Sequence, residues 1–111
     1  MYTPLQISLR GVTPSVALQK AIRDKAQKLE HFYDRIMGCR VALTLDARHQ
    51  RQGRQFSVHV GVKVPGRTIE VTREHDQNIH VALRDAFDAA CRQLEDYARE
   101  QRGDVKRHAA G

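Results

Sequence analysis

Residues 47–54, ARHQRQGR, carry three arginines and a histidine with no carboxylate and no large apolar side chain. A guanidinium presents forked N–H donors that match phosphate oxygens, so Arg48, Arg51 and Arg54 are candidate contacts to a nucleic-acid backbone. Charge at a solvated loop tip also needs no ligand at all, and that reading stands beside the first. Two further basic groupings could do the same chemistry. Lys25 and Lys28 lie one helical turn apart, and Arg84, Arg92 and Arg99 alternate with Asp88 and Glu95 at spacings of three and four. Such alternation suits phosphate contact and plain i,i+4 pairing equally well.

Other chemistries find little support. The chain has no Ser-His-Asp signature, no glycine-rich phosphate loop and no carboxylate pair placed for acid-base work, so no catalytic activity is expected. His75 and His80 are five apart and do not share a helical face, and Cys39 and Cys91 have no ligand partner at metal spacing. Neither a metal nor a cofactor is expected.

These residues must be positioned by a small chain. With 111 residues, of which 41% are hydrophobic, the expectation is one domain, residues 1–103, with a short basic tail at 104–111. The formal charge of +6 favours a polyanionic partner. No apolar run is long enough to span a bilayer, and two isolated cysteines suit buried free thiols in a reducing compartment, so a cytoplasmic protein is expected.

The elements follow from periodicity. Leu5, Ile7 and Leu9 alternate with polar residues as in a half-buried strand that Gly11 ends. Thr13 and Pro14 look like the cap and first residue of a helix whose stripe is Leu18, Ile22, Ala26, Leu29 and Tyr33. A second strand alternates from Met37 through Leu45 and a third from Phe56 through Val64, which makes residues 47–54 the tip of a long hairpin. Pro65-Gly66 suits a type II turn into a fourth strand. A last helix buries Ile79, Leu83, Phe87, Ala90, Leu94 and Tyr97, with Gly103 as its expected stop.

The order is therefore β-α-β-β-β-α, an α+β fold. Each strand is apolar on one side only, so both helices are expected to cover one face of a four-stranded sheet. A helix between the first two strands implies a right-handed crossover if they lie side by side and parallel, with the remaining strands added as antiparallel hairpins. Phe32, Tyr33, Phe56, Phe87 and Tyr97 fall on or beside core positions, which leaves no aromatic platform for stacking bases. Any nucleic-acid binding should rest on phosphates, with strong salt dependence.

At this point the chain resembles the ribosome hibernation promoting factors, also called ribosome-associated translation inhibitors. The resemblance rests on the element order, on VTPSV opening the first helix, on KLEHFYDRIMGCRV, on VPG before the fourth strand, and on VALRDAFDAACRQLEDYAREQRGDVKRH. It implies binding to the small ribosomal subunit and its ribosomal RNA in the channel between head and body. There it implies competition with messenger RNA and with A- and P-site transfer RNA, and inhibition of translation under stress or in stationary phase. By the same resemblance, Lys25, Lys28 and Arg92 match basic positions of the family and are the expected RNA contacts. Ala89, Glu95 and Asp96 stand where relatives often carry lysine or arginine, and Arg84 stands where an acid is usual. A less basic second helix would shift the electrostatic burden to Arg48, Arg51 and Arg54 and to the tail. The chain looks like the short type, which silences single ribosomes or relies on a separate ribosome-dimerising partner.

Two rivals remain. A general double-stranded or structured RNA-binding module shares the helix, three-strand, helix order, but DQNIHVALRDA lacks the lysine cluster such modules place at their last helix. A protein-interaction module would instead bring the basic surface to an acidic partner.

Overall fold

The computed structural model describes residues 4–46, 55–75 and 78–110. Strand β1 spans Leu5–Arg10, helix α1 Val16–Leu29, β2 Gly38–Asp46, β3 Gln55–Val64, β4 Arg67–His75 and helix α2 Ile79–Ala110. The sheet order is β1-β2-β3-β4, with β1 parallel to β2 and both other pairs antiparallel. This is the expected α+β arrangement.

Alternation fixes which way each strand faces. Leu5, Cys39, Val62 and Ile69 align in register across the sheet, as do Ile7, Val41, Val60 and Val71. Cys39, Val41, Val60, Val62, Ile69 and Val71 are buried in one cluster with Leu18, Ile22 and Leu29 of α1 and Leu83, Phe87 and Leu94 of α2. Both helices thus share one apolar layer with the sheet. The opposite residues, among them Gln6, Arg40, His59 and Glu70, face away from it. Among the described residues no polar or charged side chain is buried.

Turn chemistry sets the joints. Gly66 has φ +87°, the value a type II turn demands at its third position, and it closes the two-residue connection between Val64 and Arg67. Gly11 has φ +72°, and a Cβ there would stand 3.3 Å from the Leu45 carbonyl oxygen, so a side chain would be strained in conformation and tight against that carbonyl. Across the fold, the Tyr97 hydroxyl donates to the Pro65 carbonyl. Arg67 lies 4.9 Å from the centre of the Tyr97 ring and 3.1 Å from Glu100 Oε2, pinning α2 to the β3–β4 turn.

Several expectations are corrected. Helix α1 begins after Ser15, not Thr13: Ser15 is extended at φ −143° and its hydroxyl accepts from the Leu18 N–H at 3.0 Å. That bond satisfies an end donor that the Thr13–Pro14 start would have left to another group. The helix ends at Leu29 in a turn of i to i−3 bonds, so Tyr33 lies beyond it and reaches the core by an edge-to-face contact with Tyr97 at 5.3 Å. Phe32, placed beside the core by sequence, is 44% exposed, and Met37 lies outside β2 and is 52% exposed. Gly103 does not stop α2, which continues to Ala110. A single glycine weakens a helix by about 1 kcal/mol without ending it when good helix formers flank it. The hairpin tip, with Arg48, Arg51 and Arg54, lies outside the described residues.

Candidate nucleic-acid interface

Helix α1 sets Lys25 and Lys28 on the shoulder of its buried stripe, because Ile22 and Leu29 on either side must face the core. Lys25 is half-buried and Lys28 exposed. Helix α2 is anchored by Asn78, whose Oδ1 accepts from the His80 N–H at 2.8 Å. Its inward stripe of Leu83, Phe87, Ala90 and Leu94 leaves Arg84, Asp88, Arg92, Glu95 and Arg99 together on the outer side.

Cys91 marks where the two helices meet. Its thiol is half-buried, not fully buried as expected, and lies in the field of Asp88 and Glu95 from its own helix and of Lys25 and Lys28 from α1. Burial pushes its pKa up, the two carboxylates add to that, and the two lysines oppose it. Tertiary structure therefore brings both expected lysines of α1 close enough to α2 to act on Cys91. The field at this seam is mixed, with carboxylates among the cations.

The arginines of α2 divide into two kinds. Arg84 Nε stands 3.5 Å from Asp85 Oδ1, and Arg99 Nη1 stands 3.9 Å from Asp96 Oδ1. These are long, exposed pairs of the sort that contribute little to stability. Arg92, Lys25 and Lys28 have no carboxylate within 4.0 Å among the described residues. A phosphate approaching the helix layer would find these three cations without displacing a partner. Among the described residues no cluster of three His, Cys, Asp or Glu side chains is arranged to hold a metal ion.

Sequence reasoning missed a second basic pair on the other face of the sheet. Register places Arg40 opposite Gly61 and Lys63 opposite Gly38, so the two cations are diagonal neighbours on adjacent strands. Strand parity already turned both outward. Only the pairing register shows that they stand together.

Comparison with known proteins bears on what these surfaces serve. Residues 5–102 match the family described as "Sigma 54 modulation protein / S30EA ribosomal protein". The chain belongs to this family. The match runs from the first residue of β1 into the last turns of the helical stretch that carries Arg84, Arg92 and Arg99, and includes Lys25 and Lys28. A relative from Deinococcus radiodurans, a "Ribosome hibernation promotion factor", is 32% identical over 90 residues, 80% of this chain. The chain spans 46% of that relative's length. Two solved structures are similar in fold. A ribosomal subunit interface protein from Coxiella burnetii superposes with a TM-score of 0.74 at 22% identity, over 87% of this chain and 99% of the other. The N-terminal domain of Protein Y from Thermus thermophilus gives 0.66 at 18% identity, again over 87% and 99%. Among the described residues of this family member, no helix is long and apolar enough to cross a membrane.

Proposed function

We propose that this protein is a ribosome hibernation factor of the cytoplasm that binds the small ribosomal subunit in the channel for messenger RNA and transfer RNA and so inhibits translation. The observation that carries this reading is the family match over residues 5–102, a span that includes every described cation of the helix layer discussed above. Occlusion would need no chemistry, only a rigid body held by phosphate contacts. The helix layer supports that role: α1 and α2 share one core with the sheet, so Lys25, Lys28 and Arg92 are presented from elements that cannot shift independently.

In this reading Lys25, Lys28 and Arg92 contact ribosomal RNA directly. Arg84 and Arg99 contribute less, since each already has an acidic neighbour. Arg48, Arg51 and Arg54, which lie outside the described residues, are further candidate phosphate contacts by their charge alone. Bound protein excludes messenger RNA and A- and P-site transfer RNA. Stress or stationary phase is when such silencing serves the cell.

The test is co-sedimentation of the purified protein with ribosomes and separated subunits across a salt series, with transfer RNA as competitor. Saturable binding to the small subunit, near one copy each and weakened by salt and by transfer RNA, is the expected result. Equal affinity for any duplex RNA, with indifference to transfer RNA, would replace this reading with general structured-RNA binding. Binding that survives nuclease treatment and follows an acidic protein would point to the interaction-module reading.

A further inference from the structure

The sheet face turned away from the helices holds a cleft of about 530 Å³, lined by Gln6, Met37, Arg40, His59, Lys63 and Glu70 around Gly61. That volume is within the range of small-molecule sites. We infer that this cleft binds a purine nucleoside monophosphate unit, with the phosphate on Arg40 and Lys63 and the base over Gly61 toward Glu70.

Three independent features lead there. Gly61 sits in the middle of β3, and the fold gives no reason for a glycine. Its φ is not positive, and an added Cβ would meet only His59 Nε2, at 3.9 Å, which is ordinary contact. A strand-interior glycine that makes neither a bulge nor a bend often marks a place where a ligand or another backbone approaches closely. Arg40 and Lys63 supply the second feature. Both are exposed, and neither has a carboxylate within 4.0 Å among the described residues, so their charge is available to an anion. Diagonal neighbours on adjacent antiparallel strands lie roughly 7–8 Å apart, close enough for one phosphate group to bridge them.

The polarity of the cleft supplies the third. Glu70 aligns with Gly61 and, through it, with Arg40. Strands lie about 4.8 Å apart, so Arg40 and Glu70 stand on the order of 10 Å from each other across Gly61, which is buried among its neighbours with His59 Nε2 beside it. Glu70 is joined to His59 at 3.5 Å, and His59 Nδ1 lies 2.9 Å from Thr72 Oγ1, which fixes the far wall as polar and partly acidic. A polyphosphate or an acidic peptide would meet Glu70 unfavourably. A ligand with one anionic end and one end bearing N–H donors fits both walls, and a flat ring between them can stack against the Arg40 guanidinium. A nucleotide unit has that shape and charge. The source is either a free mononucleotide or an unstacked nucleotide of single-stranded RNA.

The experiment is a titration of the ¹⁵N-labelled chain with GMP and, separately, with a short guanine-containing single-stranded RNA, followed by amide shifts. Saturable shifts centred on Arg40, Gly61 and Lys63 with either probe are expected, and the tighter probe identifies the source. Gly61→Val, which fills the floor with a residue suited to a strand, should weaken that binding at least tenfold. The exposed double variant Arg40→Ala/Lys63→Ala should do the same without touching the core. Absence of saturable shifts with both probes, or binding unchanged in both variants, overturns the inference. Ribosome co-sedimentation of Gly61→Val should match the parent, so failure here leaves the ribosome reading intact.

Discussion

The helix layer and the open sheet face both present cations, but they neutralise them differently. On α2, Arg84 and Arg99 find acids one and three residues away in the same helix. On the sheet, Arg40 and Lys63 each face a glycine across the β2–β3 pair and Gln6 or Thr68 on the other side, and Glu70 lies 3.5 Å from His59 Nε2. A helix surface draws its neighbours from nearby sequence, so its charge balance is local. A sheet surface draws them from other strands, so register can gather cations that are far apart along the chain. The first arrangement gives a broad, mixed surface suited to many weak phosphate contacts. The second gives a compact site with a positive and a negative wall.

The comparison can be broken most directly at the helix layer. Charge reversal at both α1 lysines, Lys25→Glu/Lys28→Glu, should lower small-subunit affinity about a hundredfold at low salt and reduce the slope of log affinity against log salt by roughly 2. An unchanged slope in co-sedimentation would remove these lysines from the interface. Neutralising Arg92 alone should cost more affinity than neutralising Arg84 or Arg99, by about threefold to tenfold, because the latter two are already partnered. Equal losses would show that pairing with Asp85 and Asp96 does not matter.

Two glycines sharpen the contrast through stability. Gly66→Ala forces a side chain into φ +87° and should cost about 1–2 kcal/mol in a denaturant titration. Gly61→Ala meets ordinary contact in an ordinary conformation and should be neutral or slightly stabilising, by up to about 1 kcal/mol. A large loss at Gly61 would mean that the fold itself needs that glycine.

The cysteines give the smallest effects. Burial pushes the Cys39 thiol up to about 11, so the folded state holds that proton longer than the unfolded chain, whose thiol titrates near 9.0. This contribution is complete below pH 9 and is lost as pH rises toward 11, with a slope of at most about 1.4 kcal/mol per pH unit. Cys39→Ala should reduce the slope of melts taken across that window, leaving the part due to Tyr33, whose pKa burial also raises. Cys91, half-buried at the helix seam, should be alkylated faster than Cys39 in the native protein, and bound ribosomes should slow that reaction if the seam is the interface.

Periodicity alone determined much of this protein. Leu5, Ile7 and Leu9 against Gln6, Ser8 and Arg10, and the valines of β3, specify strands with one buried side because side chains alternate at a period of two whatever the partner. The stripe from Leu18 to Leu29 and that from Ile79 to Tyr97 specify helices by the same local logic, and Pro65-Gly66 specifies its turn. Local competition was harder to read: Thr13 and Ser15 are both good caps, and only the Ser15 hydroxyl reaches an open N–H. Gly103 resembles a stop, yet the helix formers around it carry the chain through.

What the sequence left open are distances between elements. That Lys25 and Lys28 act on Cys91 together with Asp88 and Glu95 follows from how α1 packs on α2, and that Arg40 and Lys63 stand together follows from a register fixed by Cys39 opposite Val62 and Val41 opposite Val60. The physical reason is the range of the forces. Backbone sterics and side-chain periodicity act over a few residues and are written in any short window, whereas the packing that brings distant charges together is a property of the whole core.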